Sequence, residues 1–474
     1  MNDNYRINCS FDCLSSLDII NKKSDIFLHN NNEYHIVTDS RCVQKNDIFI
    51  ALKGRYSDGH DFISQAFYNG ASAAIISEKS FFEESNFPLI LVRDTFKALS
   101  KIGEYNFKDI KSLKIAITGS VGKTTTKDYL KNVLSNYEPT FAAPESFNNE
   151  LGIVLSKAKI SKIDKYAIFE VGMNMKDEIR NLSRIINPDI AIITNIGEAH
   201  IGNLGSKESI AIEKSSIIDG MSSDGIILLP RDSDYFELLQ KNTLAKKLRF
   251  ITFGHSKKSD IQISKITRVK DRVFVEFRVF GEFFEVYTNM QNISIINNYL
   301  PVLGIAYILN YDLNEVLKNI VKSNVHKSRW QEFDFELDRG QVKLIDDTFN
   351  ASPTSMFEAI RSVDEYEAEG IFRKIVIIGD MLELGDFSDK YHSDLVNLIN
   401  KTNIDHVYFC GEYLSSLFDM VSSKKKKKHF RYVKDIGSID EFALAGGDLI
   451  FIKGGNKIGL NNLVQEFINY LALT

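Results

Sequence analysis

Short apolar runs that end in polar or glycine residues alternate along this chain with segments whose apolar positions recur at helical spacing. In the first hundred residues, 34–41, 47–52 and 73–77 read as strands. A helical stretch runs to Tyr68 between the second and third of them, and a helix over 96–109 leads onward. Further strands are predicted at 115–117, 166–171, 189–195 and 225–230. Helical spacing follows at Tyr129, Leu130, Val133 and Leu134, and again over 208–218. Residues 261–266, 273–279 and 283–286 show the alternation of antiparallel strands, and an apolar helix follows over 300–309. Buried strands at 342–347, 374–380, 406–411 and 448–454, with helices between them, predict a second parallel sheet resembling a dinucleotide-binding fold. It lacks Gly-x-Gly-x-x-Gly after its first strand, so NAD is not expected.

These elements predict an α/β protein of three domains. A small mixed α/β N-terminal domain covers 1–110. A central parallel-sheet nucleotide-binding domain with a glycine phosphate loop covers 111–325, and a C-terminal Rossmann-like α/β domain covers 326–474. A length of 474 residues fits several cores better than one. With 44% hydrophobic residues, 26% charged residues and a net charge of −5, the composition is that of a globular protein with no call for nucleic acid. The one basic block, 424–428, reads as a solvated loop. Cys9, Cys13, Cys42 and Cys410 show no paired metal-ligand spacing and suggest a reducing compartment. No apolar stretch is long enough to span a bilayer, and the first residues lack the basic-then-apolar pattern of a leader, so a cytoplasmic protein without stable membrane insertion is expected.

The candidate chemistry centres on Lys114-Ile-Ala-Ile-Thr-Gly-Ser-Val-Gly-Lys-Thr-Thr-Thr-Lys127. Strand, glycine turn, lysine, hydroxyl and helix in that order build a phosphate cradle. Gly119, Ser120, Val121 and Gly122 form the turn, Lys123 reaches the β- and γ-phosphates, and Thr124 offers a hydroxyl to Mg²⁺, with Thr125 following. Strands ending at Glu170 and just before His200 deliver a carboxylate and an imidazole to the carboxyl edge of the same sheet, where ligands bind in open α/β folds. Both are plausible partners of a Mg²⁺ site. Lys214, on the 208–218 helix, reads by itself as a surface lysine. Ser40, Arg41 and His60 lie beside chain turns, where they could equally bind an anionic or sugar substrate or cap local structure.

Gly119-Ser-Val-Gly-Lys-Thr-Thr125, Glu170-Val-Gly-Met-Asn174 and Asn195-Ile-Gly-Glu-Ala-His200 together resemble the Mur ligase family, ATP-dependent amide-forming enzymes of peptidoglycan assembly. Phe147-Asn-Asn-Glu-Leu-Gly152, Gly205-Ser-Lys-Glu208, Asp346-Asp-Thr-Phe-Asn-Ala-Ser-Pro-Thr-Ser-Met356 and Gly379-Asp-Met-Leu-Glu-Leu-Gly385 are similar to the member that joins D-alanyl-D-alanine to a UDP-linked muramoyl tripeptide. The resemblance implies that ATP phosphorylates a substrate carboxylate and that an amine then displaces the phosphate. It implies Mg²⁺, two ions in number, held with help from Thr124, Glu170, His200 and a carbamylated Lys214. It implies nucleotide contacts from Asn298, Arg329 and Asp347. Substrate contacts are implied for Ser40, Arg41, His60, Asn148, Asn149 and Asn350, with the UDP-sugar on the first domain and the dipeptide on the last. A monomer acting on small molecules is expected. Two alternatives stay open at this point: a related ligase joining another amine to a sugar-linked or peptide carboxylate, and a non-catalytic nucleotide-binding regulatory protein. The chain departs from the family's pattern at Ser294, Ile295 and Ser328 and in Lys453-Gly-Gly-Asn456.

Overall fold

The computed structural model describes residues 5–23, 33–54, 57–144, 147–323, 327–337 and 340–473. The residues before Tyr5, read above for the absence of a leader, and the expected boundary at 325 and 326 lie outside the described residues. The chain is a three-domain α/β structure. Its residues divide into two compact units: Met1–Ile115, Glu138–Glu170 and Arg184–Asn187 form the first, and Ala116–Tyr137, Val171–Ser183 and Pro188–Thr474 the second.

The first unit holds strands β1 (Arg6–Ser10), β2 (Ile19–Lys22), β3 (Glu33–Val37), β4 (Ile48–Ile50), β5 (Ala73–Ile76) and β6 (Leu89–Val92). Their order in the sheet is β1-β3-β4-β5-β6-β2. The four central strands run parallel, and β1 and β2 run antiparallel at the edges. Parallel strands covered on both faces need apolar residues on both, hence the unbroken runs in the sequence. One face packs Ile36, Ile48, Ile50, Ile75 and Ile90 against Leu99 and Ile102 of the helix Thr95–Phe107 and Leu155 of the helix Glu150–Lys159. The other packs Val37, Phe49, Ala74, Ile76 and Leu89 against Ile63 and Ala66. Strand β7 (Leu113–Thr118) begins here, its Leu113 N–H donating to the Lys165 carbonyl at 2.9 Å, and β8 (Thr140–Ala142) pairs in parallel with β9 (Tyr166–Glu170).

The second unit continues from the last residues of β7. Beside them are β10 (Ile190–Ile193), β11 (Ile226–Pro230), β12 (Arg249–Gly254), β13 (Ile261–Val269), β14 (Arg272–Val279) and β15 (Glu282–Thr288), in the order β7-β10-β11-β12-β13-β14-β15. Pairing is parallel from β10 to β13 and antiparallel from there outward. The expected antiparallel excursion is therefore present. A second sheet follows, of β16 (Gln331–Leu337), β17 (Gly340–Asp347), β18 (Arg373–Gly379), β19 (His406–Cys410), β20 (Lys426–Phe430) and β21 (Asp448–Lys453). Its order is β16-β17-β21-β18-β19-β20, parallel apart from the β16 edge.

The lysine run is not wholly a loop. Lys426, Lys427 and Lys428 lie in the edge strand β20, and Lys425 is half-buried, its ammonium on the carbonyls of Ile399 and Thr402. Lys426 pairs with Asp419 and Lys428 with Glu441. Charged residues on an edge strand keep it from pairing with another chain, so a strand can carry what the sequence presents as a solvated run. Strand β12 and the β16 edge strand are also absent from the sequence reading. Among the described residues, no helix is long and apolar enough to cross a membrane.

Candidate active site

The carboxyl ends of β7 and β10 carry the two segments around which the site is built. The chain leaves β7 at Thr118, turns through Gly119 to Gly122 and enters the helix Lys123–Leu134. Gly122 has φ +85°, a left-handed conformation that an L side chain rarely adopts, and a Cβ on it would lie 2.2 Å from Asn298 Oδ1. A Cβ on Gly119 would lie 1.8 Å from Thr194 Oγ1. The loop is thus held against two neighbours that leave space only for hydrogen.

Those neighbours brace it. The Ser120 and Val121 N–H groups donate to Asn195 Oδ1 at 3.0 and 2.9 Å. The Thr194 hydroxyl donates to the Val121 carbonyl at 2.5 Å, and Gly197 N–H donates to Ser120 Oγ at 2.9 Å. Asn298 is buried, donates to the carbonyls of Ser294 and Ile295, and accepts from the Thr126 hydroxyl at 3.1 Å. Its amide therefore props the loop from behind. Lys123 folds back to the Gly119 carbonyl at 2.8 Å, while the buried Thr124 and Thr125 lie in the first helical turn, the positive end of the helix dipole.

A cavity of about 260 Å³ opens beside the loop. Gly122, Asn195, His255, Asn297 and Glu358 are among its lining residues, and His255 Nε2 lies 2.8 Å from Asn297 Oδ1. Burial raises the Glu358 carboxyl above its usual range despite the Ser294 hydroxyl. None of His255, Asn297 and Glu358 was singled out by sequence, because only the fold brings residues from three elements to one wall.

Residues of the second sheet reach the same loop. Arg329 donates to Thr124 Oγ1 at 2.9 Å and stacks on Phe349, its guanidinium 3.8 Å from the ring centre. Asp347, at the end of β17, pairs with the buried Lys453 at 2.7 Å. Lys453 also donates to the Asn350 carbonyl at 2.9 Å, while the Asn350 side chain accepts from the Ala351 N–H. Burial raises the Asp347 carboxyl above its usual range, with Lys453 and Arg329 opposing it. Thr354 donates to Glu198, which also pairs with Lys207 at 2.9 Å. Burial alone would raise the Glu198 carboxyl, but these two donors hold it below its usual range. Lys453, Thr354 and Glu198 are further residues that sequence did not single out. Replacing Lys453 with methionine leaves Asp347 buried without its partner and is expected to destabilise the fold by about 3 kcal/mol. Denaturant unfolding checks this, and Asp347→Asn in the same chain is expected to return part of the loss.

His200 follows β10 in a left-handed conformation, φ +65°, with Nδ1 2.8 Å from Glu383 Oε2. Lys214 lies on the helix Lys207–Ser215 and is buried, only 2% exposed, against its default reading as a surface lysine. Desolvation lowers its pKa well below the usual value and the charge of Lys123 lowers it further, with Glu213 opposing. The Glu213 carboxylate is itself taken by the N–H groups of Asp177 and Ile179. No group of three or more His, Cys, Asp or Glu side chains able to hold a metal ion occurs among the described residues. Mg²⁺ needs no such cage, since it keeps waters and takes phosphate oxygens beside one or two carboxylates.

In the first unit, Glu170 ends β9 and accepts from Asn148 Nδ2 at 3.1 Å. Asn149 caps the helix Glu150–Lys159, accepting from Gly152 N–H at 2.9 Å. Ser40 is buried and donates to Gln65 at 2.6 Å, and the exposed Arg41 pairs with Asp39. His60 has both ring nitrogens in use, Nδ1 at 2.6 Å from Asp58 and Nε2 accepting from Ser77 N–H at 3.1 Å.

A braced glycine loop at the edge of a parallel sheet, with a lysine at its helix entrance and an arginine from a second α/β sheet on its threonine, defines a nucleotide-dependent phosphoryl-transfer site. The chain belongs to the Mur ligase family and is an ATP-dependent ligase that forms a peptide bond. Three models match it: "Mur ligase family, catalytic domain" at residues 33–104, "Mur ligase middle domain" at 117–306 and "Mur ligase, glutamate ligase domain" at 329–456. It is 34% identical to the UDP-N-acetylmuramoyl-tripeptide–D-alanyl-D-alanine ligase of Rickettsia prowazekii, over 90% of this chain and 94% of that one. The enzyme of the same name from Bacillus subtilis is 30% identical over 91% and 93%. Among solved structures, MurF from Acinetobacter baumannii superposes with a TM-score of 0.85 at 26% identity, covering 98% of this chain and 99% of that one. The MurF ligase from Thermotoga maritima in complex with ADP does so with 0.79 at 25%, over 92% and 97%.

Proposed function

We propose that this ligase adds D-alanyl-D-alanine to a UDP-N-acetylmuramoyl tripeptide in the cytoplasm, as a monomer, through an acyl phosphate. The observation that carries the phosphoryl-transfer part is the meeting of Lys123, Thr124 and Arg329 at one glycine loop. Full-length likeness to ligases of that name supports the substrates. Domain boundaries near residues 110 and 325 fit the stretches that the family models match.

The ATP phosphates lie along Gly119, Ser120, Val121, Gly122, Lys123, Thr124 and Thr125, and the base enters the cavity beside Asn297 and His255. Lys123 neutralises the γ-phosphoryl as the substrate carboxylate attacks it, so that an O–P bond to the carboxylate forms while the bridging P–O bond breaks and ADP leaves, and Arg329 adds a second cation when it turns from Thr124 to phosphate. The amine then attacks the carbonyl carbon, a C–N bond forms, the C–O bond to phosphate breaks, and the amine's proton passes to the departing phosphate or to water. Asp347, held by Lys453, and Asn298, behind the loop, keep the nucleotide in register. Mg²⁺ would supply charge neutralisation on the phosphates; in the second unit the donors suited to it are Thr124 and His200, and in the first unit Glu170. Lys214, buried and with a depressed pKa, is the amine that carbon dioxide would convert to a carbamate, giving the metal site an anionic oxygen. Ser40, Arg41, His60, Asn148 and Asn149 are assigned to the nucleotide-sugar and Asn350 to the dipeptide side.

ADP release with UDP-N-acetylmuramoyl tripeptide and a panel of amines tests this reading. Release that depends on D-alanyl-D-alanine supports it, and turnover only with another amine overturns the substrate assignment.

A further inference from the structure

The helix Pro353–Asp364 brings Glu358 to the wall of the cavity beside the glycine loop. Part of that wall is apolar, with the buried Phe253 and Leu300 among its residues. Its other side-chain amide and carboxylate oxygens already have partners. Asn195 Oδ1 takes the Ser120 and Val121 N–H groups, and Asn298 Oδ1 takes the Thr126 hydroxyl. Asp232 takes the N–H groups of His255 and Ser256, and Asn297 Oδ1 lies 2.8 Å from His255 Nε2. Glu358 differs: its Oε2 is buried and has no hydrogen-bond partner. A buried acceptor without a donor is costly, and a native structure that keeps one calls for a reason.

We propose that Glu358 reads the base of the bound nucleotide: its carboxyl accepts a hydrogen bond from the exocyclic amino group of adenine. Adenine has apolar faces and an amino group on its rim, and the cavity offers apolar walls and an acceptor still to be filled. The last torsion of a glutamate side chain is broad, so the carboxyl turns to a donor in the cavity without moving its helix. A base without the amino group leaves Oε2 buried and unpaired, and a site built to receive an N–H rejects such an analogue for that reason. Glu358 lies on the helix that follows β17, so the second sheet supplies the contact to the base, while the phosphates lie on the loop after β7. This inference rests on the proposed entry of the base into this cavity.

Equilibrium titration of the full chain with Mg²⁺ and either ATP or purine riboside triphosphate, which is ATP without that amino group, tests it in the absence of the other substrates. The wild type is expected to bind ATP about 10- to 100-fold more tightly than the analogue. Glu358→Ala is expected to bind the two alike, and Glu358→Gln, which keeps an acceptor oxygen, to retain part of the preference. A purely structural glutamate would weaken both nucleotides equally and leave their ratio unchanged. A wild type that binds the two alike, or a Glu358→Ala variant that keeps the wild-type ratio, overturns the proposal. Photolabelling of the wild type with 2-azido-ATP tests the placement of the base separately. Label on the peptides that carry 253–255 or 297–301 supports that placement, and an unchanged ratio in Glu358→Ala then counts against Glu358 alone. Label confined to other peptides overturns the placement and the proposal with it.

Discussion

Lys123→Met is expected to lower the rate of ADP formation by about 1,000-fold, the upper end of what the loss of one preorganised charge donor costs at a reacting centre. The lysine is rooted in the first residue of the helix Lys123–Leu134, and its ammonium lies 2.8 Å from the Gly119 carbonyl, folded over the loop that would hold phosphate. Charge spreads over the phosphoryl oxygens during transfer, so a cation fixed at that position acts on the transition state more than on bound ATP. The KM for ATP is therefore expected to rise much less than kcat falls. Arginine is expected to restore only a minor part, because its planar fork replaces a point charge in a loop closed by Asn298 and Thr194. Single-turnover ADP release measures the effect. Thermal unfolding of the same variant is expected to stay near the wild-type value, which separates the loss of a charge at the reacting centre from a loss of the fold.

Lys214→Ala is expected to lower turnover by about 100-fold. A protonated lysine buried this completely is costly, and desolvation first, then the nearby charge of Lys123, drives its amine toward the neutral form. A neutral amine can add to carbon dioxide: an N–C bond forms, a proton leaves, and a cation becomes an oxygen anion. On this account, removing carbon dioxide from the buffer lowers activity and bicarbonate restores it. Short carboxylic acids are expected to restore part of the activity of Lys214→Ala, and unchanged activity in that variant would refute the carbamate. Stability has its own sign. A lysine whose folded pKa lies below its unfolded value binds fewer protons in the folded state, so stability rises with pH through that window, up to the unfolded value of about 10.4. Lys214→Met is expected to flatten that rise in carbon-dioxide-free buffer and to unfold at a higher temperature than the wild type.

The contrast between Lys123 and Lys214 shows what could be seen in the sequence. Lys123 was legible because strand, glycine turn, lysine and threonine form one contiguous pattern, and the structure places each where the pattern implies. Lys214 was not legible on its own, since a lysine in an amphipathic helix is ordinarily solvated, and only tertiary packing buries it. The same limit hid Lys453, Glu198 and Glu383, each of which acquires its partner across elements far apart in sequence. Parallel strands were readily predicted because burial on both faces demands continuous apolar runs. Strand β20 was missed for the opposite reason: an edge strand tolerates lysines that a central strand cannot. Asn298 was identified through likeness to the family; its amide meets Thr126 and the loop, and it lines the cavity together with Asn297, which sequence passed over.

The central claim is that the phosphate held by the glycine loop passes to a carboxylate before the amine arrives. Isotope transfer tests this most directly. With ¹⁸O in the terminal carboxylate of the UDP-N-acetylmuramoyl tripeptide, carbonyl attack by D-alanyl-D-alanine must break the C–O bond to phosphate, so that phosphate keeps one oxygen from the peptide. Mass analysis of the released phosphate is expected to find one ¹⁸O per phosphate at full carboxylate labelling. Phosphate free of ¹⁸O, formed together with the amide product, would contradict the acyl-phosphate route.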